Sequence, residues 1–149
     1  MKIEDPVLKA TGHFYMEVID GSGRVVDVID EKNMVVIGSR QTLARLLGGD
    51  VADRSVTRIG FGTSTAAAAV GNTALTAQYA KLLDSVSYPA ADQVRFNFSL
   101  GSAENNGVAI GEFGLLTAAG VLFARKNRSV ALNKESDLSF SGSWTITFQ

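Results

Sequence analysis

Along much of this chain apolar and polar residues alternate with the period of two that marks a half-buried strand. Between Thr11 and Ile19, Phe14, Met16 and Val18 share one face, and His13, Tyr15 and Glu17 share the other. Asp20-Gly21-Ser22-Gly23 breaks the pattern with two glycines that tolerate positive φ, and Arg24 to Asp30 returns rich in β-branched residues. The two runs predict a β-hairpin. Asn33 to Ile37 is apolar, and reads either as a third short strand or as the lead into a helix. The period then changes. Ser39 stands where an N-cap belongs, Leu43, Leu46 and Leu47 recur at helical spacing, and Gly48-Gly49 supplies a stop. One short helix is expected, from Arg40 to Leu47, with its leucines covering the sheet and Arg40, Gln41 and Arg45 outward.

Val56 to Phe61 reads as a strand that runs into Gly62-Thr63-Ser64-Thr65. The alanine-rich stretch Ala66 to Gly71 is too short for a stable helix and reads as a loop or a single helical turn. Thr73 to Tyr79 has no clear period, Lys81 to Tyr88 alternates weakly, and Pro89 to Asp92 turns the chain. Gln93 to Leu100 alternates cleanly, with Val94, Phe96, Phe98 and Leu100 inward. Val108 to Leu116 is continuous enough in apolar residues to be a buried strand. Thr117-Ala118-Ala119-Gly120 links it tightly to Val121 to Lys126. Asn133 to Asp137 is polar and reads as a loop. The last strand sets Leu138, Phe140, Gly142, Trp144, Ile146 and Phe148 against a face of serines and threonines. About eight short strands and one helix predict a mainly β domain, an antiparallel β-sandwich or a jelly-roll-like partly closed barrel. No break in composition divides residues 1–149, so one domain is expected, preceded by a loose arm over about residues 1–9.

Composition narrows the classes of function. A net charge of −1 gives no basic footprint for phosphates, which argues against a nucleic-acid partner. With no cysteine and one histidine, disulfide frameworks, thiolate metal sites and multi-histidine zinc sites drop out. No apolar run has the length to span a bilayer, and the polar start Met1-Lys2-Ile3-Glu4-Asp5-Pro6 is unlike a secretory signal. Synthesis in a cytoplasm, without a membrane partner, is the expectation.

Candidate chemistry is sparse. Gly60-Phe61-Gly62-Thr63-Ser64-Thr65 opens like a dinucleotide fingerprint, but Thr65 occupies the third glycine position and no Gly-Lys-Ser/Thr ending follows. Glycines at a strand end, where backbone must turn closely, explain it better. His13 has no nucleophile-elbow pattern for company. Asp20, Asp27, Asp30 and Glu31 lack a calcium-loop spacing and read as a solvated hairpin face. Phe140, Trp144 and Phe148 at even spacing read as a core face. Glu112 stands out, because it interrupts an apolar run between Gly111 and Phe113. A carboxylate there must reach solvent or a cation, and Arg58 and Arg125 on neighbouring strands are the expected partners in a structural ion pair. No catalytic, cofactor-binding or metal-binding residue emerges, and a non-enzymatic protein without cofactor is expected.

One resemblance runs through these segments. The helix near Ser39 to Leu47, then Arg58-Ile59-Gly60-Phe61-Gly62-Thr63 and Asn72-Thr73-Ala74-Leu75, stand in the same order as Ile110-Gly111-Glu112-Phe113-Gly114-Leu115 and Ala119-Gly120-Val121-Leu122-Phe123-Ala124. This succession, over about residues 33–127, resembles the virion-attachment domain at the N-terminus of tailed-bacteriophage tail-collar and tail-fibre proteins. The resemblance implies a virion structural protein, assembled in the host cytoplasm, that binds other tail, baseplate or fibre proteins and forms a trimer or hexamer. No fibre shaft follows Gln149, which points to a small stand-alone component. Loops and hairpin tips carry interactions generally, so Asp20, Ser22, Arg24, Thr63, Ser64 and Thr65 are the expected partner contacts, together with the arm. The competing reading is a carbohydrate-binding jelly roll that uses Tyr15, Tyr79 and Tyr88.

Overall fold

The computed structural model describes residues 8–149. Its elements in chain order are β1 (Ala10–Asp20), β2 (Val25–Val35), α1 (Gly38–Leu47), β3 (Val56–Gly62), β4 (Tyr79–Leu82), β5 (Ser85–Ser87), β6 (Gln93–Leu100), β7 (Val108–Thr117), β8 (Leu122–Lys134) and β9 (Leu138–Phe148). The strands form one nine-stranded sheet in the order β4-β3-β7-β8-β2-β1-β9-β6-β5. Every pairing is antiparallel. The sheet curls into a half-barrel, the mainly β, partly closed barrel with one short helix expected from the alternation. Its two outer strands, β4 and β5, are consecutive in the chain. Between them the Leu83 N–H bonds the Thr57 carbonyl at 2.9 Å and the Asp84 N–H bonds the Asn97 carbonyl at 2.8 Å. That short link draws the two ends of the sheet toward each other.

Burial of the alternating faces is the main force behind the curl. Phe14, Phe61, Phe98, Phe113, Phe140 and Trp144 meet in one core cluster. Phe14 lies 4.7 Å from Phe113 and 4.9 Å from Trp144, between ring centroids, so β1 contacts both β7 and β9 through one side chain. Such aromatic contacts add about 0.5–1.5 kcal/mol each beyond area burial. Gly142 permits the closest backbone approach in this core, because a Cβ there would lie 2.3 Å from the Tyr15 carbonyl oxygen.

Several local expectations are corrected. The apolar run after Asn33 is neither a separate strand nor a helix lead alone, since β2 continues to Val35. That extension matters: Met34 and Val35 make the only pairing between β2 and β8, opposite Arg125 and Ala124. Ser39 is not the N-cap. The cap position is Ile37, with no side-chain hydrogen bond, and Ser39 is buried inside the helix together with Thr42. Gly38 accounts for this, because a Cβ there would lie 2.4 Å from the Leu122 carbonyl oxygen. The helix sits so close to β8 that small residues must face it. Leu43 and Leu46 are then only half-buried, and Leu47 is 92% exposed rather than covering the sheet. Arg40, Gln41 and Arg45 do face outward.

Asn133 and Lys134 belong to β8, not to a loop. Lys134 is fully buried, and its ammonium donates to Asn106 Oδ1 at 2.7 Å and to the Glu135 carbonyl at 3.1 Å. Burial holds its pKa below the ordinary lysine value. The expected N-terminal arm lies almost wholly outside the described residues. It has ended by Lys9, whose N–H and carbonyl both bond Gln149 at 2.8 Å.

Candidate functional site

The glycine-rich end of β3 packs beneath the long connection from Thr63 to Gln78. A Cβ on Gly60 would lie 2.8 Å from Leu75 Cδ1, one on Gly114 2.9 Å from the same atom, and one on Gly62 2.6 Å from Glu112 Oε2. None of these three glycines has positive φ, so they serve by leaving space. The connection therefore lies flat on the outer face of β3, β7 and β8. Leu75 joins Val36, Leu116 and Leu122 in a second apolar cluster there. This explains why β7 is buried on both faces from Ile110 to Thr117. One face meets the barrel core and the other meets the connection.

A buried ion pair fastens the connection down. Glu112 is 1% exposed and Arg125 3%, and Arg125 Nε donates to Glu112 Oε1 at 2.9 Å. The second carboxylate oxygen, Oε2, accepts the Ser64 and Thr76 N–H groups, each at 2.9 Å. The rest of the guanidinium donates to Asn72 Oδ1 at 3.2 Å and to the Ala66 carbonyl at 3.0 Å. Asn127 adds a parallel clamp, accepting the Ala68 N–H at 3.0 Å. Charges out of water are costly unless their remaining hydrogen-bonding capacity is met; here loop backbone serves Glu112, and the Ala66 carbonyl with the Asn72 side chain serves Arg125. Ala77, one residue past the Thr76 N–H, holds φ 48, a strained value for a side-chain-bearing residue. The network and Leu75 packing overdetermine it.

Arg58 takes no part in this pair. It is exposed on β3 opposite Leu116, four residues along β7 from Glu112. At about 3.3 Å per residue that puts the two roughly 13 Å apart.

The expected contact residues divide into two groups. Thr63, Ser64 and Thr65 belong to the fastened connection. Ser64 N–H is taken by Glu112, Thr63 N–H by the Thr76 carbonyl at 3.0 Å, and the Thr65 carbonyl receives Asn127 Nδ2 at 3.4 Å. Only the exposed side of this stretch is open to a partner. Asp20, Ser22 and Arg24 form the β1–β2 tip. Asp20 Oδ1 accepts the Ser22 N–H at 2.9 Å, the Ser22 hydroxyl at 2.7 Å and the Arg24 N–H at 3.0 Å, and Gly23 takes φ 85. The Ser22 hydroxyl, then the Arg24 N–H, hold the Asp20 carboxyl below its ordinary pKa. The tip is thus an ordered, exposed knob. The two groups are not brought together into one surface by any contact between them.

Below the tip, β2 and β8 diverge. Between Ile110 and Glu112, β8 inserts Arg128 to Ala131 as a bulge, and the gap is crossed by ion pairs of Lys126 with Glu31 and of Arg128 with Asp27, the latter at 3.6 Å. His13 contacts Asp30 on the outer face, with Lys32 and Thr145 as its strand neighbours. Tyr79 and Lys81 donate to Glu104 at 2.8 and 2.6 Å, and with the Lys81 ammonium as the largest cause the Glu104 carboxyl is held down to about 2. Among the described residues no group of three or more His, Asp and Glu stands close enough to hold a metal ion. Tyr15 bonds Glu17 on the outer face of β1, Tyr79 bonds Glu104, and Tyr88 is 77% exposed beside a groove at the open side of the barrel. The tyrosines thus occupy separate surfaces.

Comparison with protein-family models, with characterised proteins and with solved structures finds no match to this chain. Sequence reasoning missed Asn72, Asn127 and the amides of Ser64 and Thr76 as partners of the buried charges. A polar residue in a loop carries no mark of a distant acceptor, although Asn72 lay inside one of the segments that carried the resemblance.

Proposed function

We propose that this chain is a structural protein of a tailed-bacteriophage virion, a tail, baseplate or collar component that anchors fibres or other appendages through protein–protein contacts. One observation carries the reading. The segments that resemble the virion-attachment domain are far apart in sequence yet interlock in space. Gly62 makes room for Glu112, Asn72 receives Arg125, and Leu75 lies over Gly60 and Gly114. A motif set that builds one unit has a physical reason to occur together, which scattered short matches lack. A rigid β-scaffold with an ordered exposed tip also suits a part that holds other proteins in place. The sugar-binding alternative gains nothing from the separated tyrosines.

The test is mass spectrometry of purified phage particles from a lysate in which the chain is produced, paired with light scattering of the isolated protein. The proposal expects the chain at a fixed copy number per particle, and a closed trimer or hexamer over a range of concentrations. Particles that lack the chain contradict the proposal.

A further inference from the structure

The half-barrel stays open between β5 and the start of β3, and the opening is an apolar groove of about 500 Å³. Leu43 and Leu46 of α1, Val86 of β5, and Val94, Phe96 and Ile146 line it. Three features of the groove belong together. First, β5 ends the sheet and pairs with β6 alone among the described strands, so one of its edges carries unpaired backbone groups. Second, Thr57 Oγ1 and Arg54 Nε, both of residues in the groove wall, are buried and have no hydrogen-bond partner. Third, Val86 and Tyr88 stand exposed on its rim at 44% and 77%. Buried donors without partners are rare in folded proteins and mark a place where an acceptor is missing.

We propose that this groove receives an extended segment of a partner polypeptide, which adds as a strand to β5, seats a large apolar side chain over Phe96 and Ile146, and presents a carboxylate to Arg54 and Thr57. Strand addition supplies affinity through main-chain bonds, and a side-chain pocket supplies selectivity. A small apolar molecule would fill the groove but leave the β5 edge unpaired, so an extended backbone suits the site better. Among the described residues the Arg54 guanidinium bonds Asp50 at 3.3 Å and shares that carboxylate with Arg45 at 3.6 Å, so two cations face one anion and an acidic segment is favoured over a basic one. This site rests on the reading of the chain as a protein-binding component, and names the surface it uses.

The test titrates the intact chain against labelled octapeptides, blocked at both ends, that alternate threonine with leucine or tryptophan and carry or lack one aspartate. Saturable binding is expected, about tenfold weaker without the carboxylate, the usual scale of one charge-assisted hydrogen bond. Arg54→Gln is expected to abolish that difference. Val86→Asp is expected to weaken every peptide about tenfold or more, while Ser129→Ala, on the exposed β8 bulge away from the groove lining, changes nothing. Tyr88→Ser provides a second rim variant whose exposure makes it safe for folding, and circular dichroism melts check each protein. No saturable binding at roughly millimolar peptide, or binding that Arg54→Gln, Val86→Asp and Tyr88→Ser all leave unchanged, overturns the proposal. So does a Val86→Asp effect confined to self-association in light scattering, which would make the groove a contact between copies. Particle content does not depend on these titrations, so failure of this site is separable from failure of the virion reading.

Discussion

Arg125 and Lys126 are consecutive residues of β8, and each pairs with a carboxylate, yet the two pairs work differently. Successive strand residues face opposite ways. Arg125 points under the Thr63–Gln78 connection and meets Glu112 where neither is more than 3% exposed. Lys126 points into the gap between β8 and β2 and meets Glu31, which is 61% exposed. In the buried pair loop N–H groups, the Ala66 carbonyl and the Asn72 side chain replace solvent, so the charges organise a long irregular segment. In the seam the carboxylates are exposed, so water competes with the pairs. Position, not the type of charge, decides whether an ion pair shapes this fold.

The sharpest way to break this contrast is Glu112→Ala. It strands Arg125 as an unpaired buried charge and frees two loop amides, and the expected cost is about 3–5 kcal/mol in denaturant unfolding. Gly62→Ala comes next. Its Cβ would press within 2.6 Å of the Glu112 carboxylate, and overpacking of this kind costs about 1–3 kcal/mol. The same substitution is expected to cost less in a Glu112→Ala background, so a double-mutant cycle reads the contact directly.

Acid titration separates a third pair from both. The Glu104 carboxyl sits at about 2 against an ordinary 4.5, held first by the Lys81 hydrogen bond. Because the folded value is the lower one, its contribution is complete above 4.5 and is lost as pH falls toward 2. Unfolding measured across that window is expected to lose stability in the native protein, and to lose less in Glu104→Gln. The smallest effect belongs to the seam. Asp27→Asn combined with Glu31→Gln is expected to cost no more than about 1 kcal/mol, and less still at high salt.

The hairpin β1–β2, the strand Val94 to Leu100 and the last strand were legible because strict alternation has few other outcomes, and Val108 to Leu116 because a short continuous apolar run between turns reads as a buried strand. Glu112 was legible for the opposite reason, as a charge inside an otherwise apolar run. Arg125 followed from strand adjacency, but the same logic also offered Arg58, since adjacency without register leaves a residue free to slide along its strand. The helix was placed well and oriented poorly. Its leucine spacing was visible, whereas the close approach of Gly38 to Leu122, which turned Ser39 and Thr42 inward, depends on a distant strand. Lys134 was hidden in a polar run, and only the fold of the Gly101–Gly107 turn around its ammonium explains its burial. The groove beside β5 was not legible at all, since its lining comes from segments separated along the whole chain.

Glu112 fastens the connection through the Ser64 and Thr76 amides. Amide hydrogen exchange of the native chain and of Glu112→Gln tests it most directly. Glutamine offers one acceptor oxygen where Glu112 offers two, so Arg125 and the two amides must compete for it. Protection at Ser64 and Thr76 is expected to fall in the variant while the β1–β2 hairpin keeps its own. Unchanged exchange at both amides would contradict the claim.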